Sequence, residues 1–207
     1  MDELDALETL ASADSLHIGL ISDTHIPEAA PRLWSQVFEA FHDADCILHA
    51  GDIHDLSVIN ELSEVAPTYV ARGNGDDGSG GRPDQPEDPR LREGWFLELA
   101  GLHVGIAHTV PVPAQGEWTL EQAMQRYCGR TDLDVMVFGD THTEWIEHVD
   151  SVLCINPGSP TLPRNLSTRL GTIGFLEISK KKPRASIWQI TEHGIAAFNW
   201  AKWRRPV

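Results

Sequence analysis

Apolar positions along the chain fall into two periods. Short, nearly continuous apolar runs recur as "LHIGLI" (16–21), "CILH" from Cys46, "TYVA" from Thr68 and "VMVF" from Val135. Runs of that length, bounded by Gly, Asp and Asn, predict buried strands. Between them the period changes to that of a helix. "PRLWSQVFEAFHD" puts Leu33, Val37, Phe38 and Phe41 on one face, with Pro31 at its start. "DLSVINELSEV" repeats the pattern with Leu56, Ile59 and Leu62, and "TLEQAMQRYCG" carries a Thr119 cap and a closing Gly129. The first half reads β-α-β-α-β, which predicts a parallel sheet with helices on its faces. "GWFLELAGLHVGIAH" predicts a hairpin turning at Ala100-Gly101, and "TIGFLEIS" with "RASIWQI" predicts a late one around Lys180 to Pro183. "EWIEHVDSVLCINPGS" adds two more strands. The fold class expected is α/β, two sheets face to face with helices outside. One domain is expected over 16–203, preceded by an acidic extension, 1–15, with Leu4, Leu7 and Leu10 at helical spacing. The Gly-, Pro- and Asp-rich stretch 73–90 predicts a loop, either functional or partly disordered. The end, "HGIAAFNWAKWRRPV", predicts a last strand and a loose basic tail.

Charge narrows the function classes. The formal net charge is −15, which argues against a general nucleic-acid binder and against anionic membranes. No apolar run has the length of a membrane span, and the acidic N-terminus lacks the basic start of a secretory signal. Cys46, Cys128 and Cys154 form no Cys-x-x-Cys pair. Reduced thiols in a cytoplasm are the simpler reading.

The chemistry sits where the strands stop. Two Asp-Thr-His triplets follow apolar runs, Asp23-Thr24-His25 and Asp140-Thr141-His142. Other runs end at Gly51-Asp52, Gly73-Asn74 and His108. In open α/β sheets ligands bind beyond the carboxyl ends of the strands. There, seven O or N donors would converge: Asp23, His25, Asp52, Asn74, His108, Asp140 and His142. Mixed imidazole and carboxylate donors suit manganese, iron, zinc, nickel or cobalt rather than soft copper. Seven are too many for one tetrahedral ion and fit two ions that share a carboxylate.

These blocks carry a resemblance. "SDTH", "LHAGD", "RGNGD", the strand-end His108, and "GDTH" followed by "INPGSP" run in the order of the calcineurin-like metallophosphoesterase superfamily, over residues 22–160. The chain is most similar to its small bacterial and archaeal phosphodiesterase branch. The resemblance implies a four-layer α/β/β/α sandwich. It implies that Asp23, His25 and His142 hold one divalent metal ion, that Asn74 and His108 hold the other, and that Asp52 bridges both. It implies hydrolysis of a small phosphodiester by a hydroxide shared between the metals, with Asp52, Asn74 and His108 at the reacting group. Manganese is the first expectation for the metal, with iron, nickel, zinc, cobalt and magnesium as alternatives. Three departures stand out, one of them "HTV" (108–110) where the family often has "HGH". Asp140 replaces the family's His and, as an O-donor, can still ligate, favouring harder ions. Gly75 stands where distant relatives carry a His able to protonate a leaving group. His49 and His54 flank Gly51-Asp52 as candidates to orient ligands or substrate, and Arg72 and Arg82 are candidates to clamp a phosphate. The resemblance also reaches a scaffold of the same fold with an impaired metal site, so a non-catalytic, partner-binding protein is the alternative. A nuclease is the third reading. Trp188, Trp200 and Trp203 leave self-association into a homo-oligomer open. The natural substrate is open among cyclic nucleotides, dinucleotides and headgroup diesters.

Overall fold

The structure, a computed structural model, describes residues 3–82, 84–112, 117–165 and 167–203. Strand β1 (Ser15–Ile21) pairs in parallel with β2 (Cys46–His49), which pairs in parallel with β3 (Thr68–Ala71), and β3 with the short β4 (Leu91–Arg92). Helix α2 (Ser35–Ala40) and helix α3 (Ser57–Ser63) make the crossovers. On the other side β1 pairs antiparallel with β10 (Thr172–Ser179), which continues to β11 (Lys182–Thr191) and β12 (Gly194–Ala197). The second sheet runs in the order β5 (Trp95–Leu99), β6 (Leu102–Ile106), β7 (Val135–Val137), β9 (Val152–Asn156), β8 (Trp145–Val149), and helix α4 (Leu120–Cys128) packs on it.

The period-2 geometry of strands sorts the apolar residues into layers. Ile18, Leu20, Cys46, Leu48, Val135, Val137, Leu153 and Ile155 meet in one core between the sheets. Their neighbours Ile21, Ile47, Val70 and Phe175 face the other way, onto α2 and α3. Met136 and Cys154 face α4. Four layers result, α/β/β/α, as expected. Both sides of these strands are buried, which is why they read as unbroken apolar runs rather than alternating ones.

One element departs from the sequence reading. The helix expected from Pro31 begins only at Ser35, and Pro31 lies in the irregular segment before it. The acidic N-terminal stretch forms helix α1 (Glu3–Ser12), whose Leu10 is buried in the inter-sheet core and whose Leu10 carbonyl accepts the Ala100 N–H. Helix α4 has the predicted cap: Thr119 and Gln122 form a reciprocal capping box, and Gly129 closes the helix with φ 69°. The last expected strand is β12, a short 3-10 helix follows at Trp200–Lys202, and residues 204–207, the end of the expected basic tail, lie outside the described residues. Among the described residues no helix is long and apolar enough to cross a membrane.

Candidate metal centre

The C-terminal ends of β1, β2, β3, β6 and β7 converge on one edge of the sandwich, and the turns after them carry the polar residues. The backbone of these turns is unusual. Among the described residues ten non-glycine positions have positive φ, and six of them are Asp23, His25, Asp52, His54, Asp140 and His142. Left-handed backbone costs roughly 1 kcal/mol or more at such residues and persists where surrounding contacts fix it. Here the contacts are visible. The Asp23 N–H donates to the Gly51 carbonyl, and the His25 N–H to the Asp52 carbonyl. The Asp140 N–H donates to Asp23 Oδ1 at 3.0 Å.

Asp23, His25, Asp52 and His142 each bring one donor atom to within 4.8 Å of the others. His142 Nδ1 lies 2.8 Å from the Leu162 carbonyl. A carbonyl only accepts, so Nδ1 carries the proton and Nε2 presents its lone pair, 3.5 Å from Asp23 Oδ1. His108 is set the same way: Nδ1 donates to the Ala50 carbonyl at 2.7 Å, and Nε2 lies 3.4 Å from Asp52 Oδ1 and 3.8 Å from Asp140 Oδ1. The imidazole of His108 packs on Gly51, where a Cβ would meet its Nδ1 at 2.6 Å. Asp52 reaches both groups, with Oδ2 3.3 Å from His25 Nε2 and Oδ1 toward His108. Asn74 is exposed, its carbonyl accepts the Ser79 hydroxyl, and the next residue, Gly75, donates its N–H to Asp52 Oδ1 at 2.7 Å.

Electrostatics show what the cluster lacks. Burial raises the Asp23 carboxyl and lowers His25 to about 4. Burial opposes charge on His108 too, yet the Asp52 and Asp23 carboxylates outweigh it and push the imidazole up to about 10. Asp52 is held below the usual carboxylate range by His108 and the Gly75 N–H, against its burial. Asp23 Oδ2, His25 Nε2 and His108 Nε2 are buried with no hydrogen-bond partner. Each such atom costs about 1–3 kcal/mol unless something meets it. Carboxylate oxygens and imidazole nitrogens that converge with buried atoms left unpartnered are what a divalent cation satisfies, so this donor set fits a metal.

The remaining candidates separate. His49 is fully buried and both ring nitrogens are engaged: Nδ1 accepts the Gly51 N–H and Nε2 faces the Thr24 hydroxyl at 3.1 Å. Burial lowers it to about 3, so it stays neutral. It ties the β1 and β2 turns together. Arg72, expected at a phosphate, donates Nη1 to the carbonyls of Asp76 and Gln85 and braces the loop instead. Arg82 Nη1 is buried without a partner. His54 lies beside His25, with ring centroids 4.2 Å apart.

Among the residues that brace the site, Asp76 escaped the sequence reading. Asp76, fully buried, accepts the N–H groups of Asp52, His54 and Gly73. Its signal is present in "GNGD", hidden among the other acids of the loop. The "NPGSP" turn braces both Asp-Thr-His segments. Asn156 Nδ2 donates to the Gly139 carbonyl and the Thr141 hydroxyl, and the Ser159 hydroxyl donates to the Asp23 carbonyl at 2.7 Å.

The sequence profile of the calcineurin-like phosphoesterase superfamily domain matches residues 16–181. A probable metallophosphoesterase of Methanothermobacter thermautotrophicus is 38% identical over 148 residues, 71% of this chain and 78% of that protein. A phosphodiesterase of Methanocaldococcus jannaschii is 29% identical over 82% of this chain and 97% of its own length. Among solved structures, Vacuolar Protein Sorting 29 of Cryptosporidium parvum superposes with a TM-score of 0.69 at 20% identity, covering 90% of this chain and 97% of that one.

Proposed function

The chain belongs to the calcineurin-like phosphoesterase superfamily, and on that premise we propose that it is a dinuclear metal-dependent phosphodiesterase acting on a small phosphodiester. One observation carries the reading: Asp52 turns one carboxylate oxygen to His25 at 3.3 Å and the other to His108 at 3.4 Å, the placement of a bridging ligand. Asp23, His25 and His142 would hold one cation, and Asn74, His108 and Asp140 the other. When bound, two such cations supply Lewis acidity, which lowers the pKa of water and neutralises charge on phosphoryl oxygens. Manganese suits the mixed donor set with its O-donor Asp140. The similarity to the Methanocaldococcus phosphodiesterase supports the diester as substrate class.

The chain's own residues supply placement. Nδ1 of His108 and of His142 is anchored on a main-chain carbonyl, which fixes each ring and its lone pair. Asp76 and the "NPGSP" turn hold the left-handed turns rigid. The thiols take no part: burial pushes Cys46 up, Cys128 up to about 11 and Cys154 to about 12, so none is a nucleophile near neutral pH.

The test is hydrolysis of bis-p-nitrophenyl phosphate by chelator-stripped protein with Mn²⁺ restored, beside Asp52→Asn. Metal-dependent turnover lost in the variant is expected. A folded, metal-loaded protein without turnover would overturn it and favour a second reading, a partner-binding protein on this fold. The observation on that side is Asp140, whose side chain is 42% exposed and stands 3.8 Å from His108.

A further inference from the structure

Asp52-Ile53-His54 is a third Asp-x-His segment with the backbone of the other two. Its φ values are 58° and 66°, against 55° and 44° for Asp23 and His25, and 68° and 54° for Asp140 and His142. The sequence hides this likeness, because Ile53 stands where the other two have Thr.

The side chain is set as a ligand is set. His54 Nδ1 lies 3.0 Å from Glu28 Oε2. A carboxylate only accepts, so Nδ1 carries the proton and Nε2 presents a lone pair. A histidine that donates its other N–H to a carboxylate is the recurrent arrangement of metal-bound imidazole. His54 is 4% exposed, and Nε2 is buried without a partner. The other buried imidazole nitrogens in that condition, among the described residues, are Nε2 of His25 and of His108, both in the cluster. Room has been kept for it: a Cβ at Gly75 would run into His54 Nε2 and approach Asp52 Oδ1 at 2.8 Å. The atom therefore sits between Gly75, Asp52 and His25.

From this we propose that His54 is a further metal ligand through Nε2, beside His25 and Asp52, with Glu28 as the carboxylate that orients it. The inference rests on the dinuclear reading above. It adds an imidazole beside His25, while Asp140 supplies an oxygen on the His108 side of the centre.

The test reads the ligand directly. Long-range ¹H–¹⁵N spectra of the unaltered protein are recorded as Zn²⁺ is added after chelator stripping. The expected result is a shift of His54 Nε2 together with those of His25, His108 and His142, with Nδ1 of His54 keeping its proton. Shifts at the other histidines with His54 unmoved would overturn this inference alone. No shift at any of them would overturn the metal-dependent reading and this one with it. In parallel, calorimetric Mn²⁺ titration of His54→Gln and Glu28→Gln should show one site weakened about tenfold or more. Wild-type affinity in both would count against the assignment.

Discussion

Asp76 holds the main chain of Asp52: its Oδ2 accepts the Asp52 N–H at 3.0 Å. The same oxygen accepts the Gly73 N–H at 2.9 Å, and Oδ1 accepts the His54 N–H at 2.8 Å. One buried carboxylate thus joins the turn after β2 to the turn after β3. Burial raises its pKa, against the pull of those N–H donors.

Asp76→Asn should therefore cost more than an isosteric change suggests. An amide keeps one acceptor oxygen where three N–H groups need two, and its NH₂ must face a donor. At about 1–3 kcal/mol for each buried donor left unmet, a loss of roughly 2–3 kcal/mol is expected. Urea unfolding of the metal-free protein measures it. A change under half a kcal/mol would show that the loop readjusts freely.

How much of this was legible follows from where the forces act. The strands and their terminal Asp, Asn and His could be read because strands buried on both sides leave unbroken apolar runs. A polar residue ending such a run stands out, as Asp23, Asp52 and His108 do. The limits of α2 could not be read: Leu33 has helical spacing from Val37 but is buried from an irregular segment that packs into the same core. Asp76 and Glu28 were invisible for another reason. Each accepts hydrogen from a group distant in sequence, Asp76 from Asp52 and His54 and Glu28 from His54, and no local pattern names that partner. His49 and His54 looked alike as flanks of Gly51-Asp52. Only the position of their ring nitrogens divides them into a brace and a candidate ligand.

Metal uptake should release a proton from His108. In the metal-free protein its pKa is raised from 6.5 to about 10. The stability its charge contributes is then fully present below pH 6.5 and is lost as pH rises through 10. Divalent ions need the neutral imidazole, so apparent affinity should rise by up to about tenfold per pH unit across that window. His25, lowered to about 4, is already neutral there and adds nothing. Calorimetry at pH 8 in buffers of different ionisation enthalpy counts the protons. About one is expected, and none would refute the protonated His108.

Gly75→Ala should push His54 out of place. The added methyl meets Nε2 and leaves the imidazole no room against His25. Overpacking of this kind costs about 1–3 kcal/mol. Gly75 has no left-handed φ, so the effect is steric and not backbone strain. Combining Gly75→Ala with His54→Ala should recover most of the stability lost in the single glycine variant. A double-mutant cycle of thermal unfolding measures that recovery, and strict additivity would remove the contact as the cause.

Asp140→His should change which metal the second site prefers. The Asp140 carboxylate faces His108 Nε2 at 3.8 Å from a turn held by the Asp23 carboxylate. An oxygen donor there favours harder ions, and its charge opposes an anionic substrate. A histidine replaces that oxygen with nitrogen and removes one negative charge. Competition titrations should then show Zn²⁺ gaining on Mn²⁺ by about tenfold. KM for a phosphodiester should fall as the site becomes more positive. The left-handed φ of 68° also tests the substitution, since the short polar side chain of Asp suits that backbone. The neighbouring turns answer that objection: His25, His54 and His142 all adopt it here, with φ between 44° and 66°. The variant should fold, and an unchanged Zn²⁺ to Mn²⁺ ratio in the folded protein would mean that Asp140 does not touch the metal.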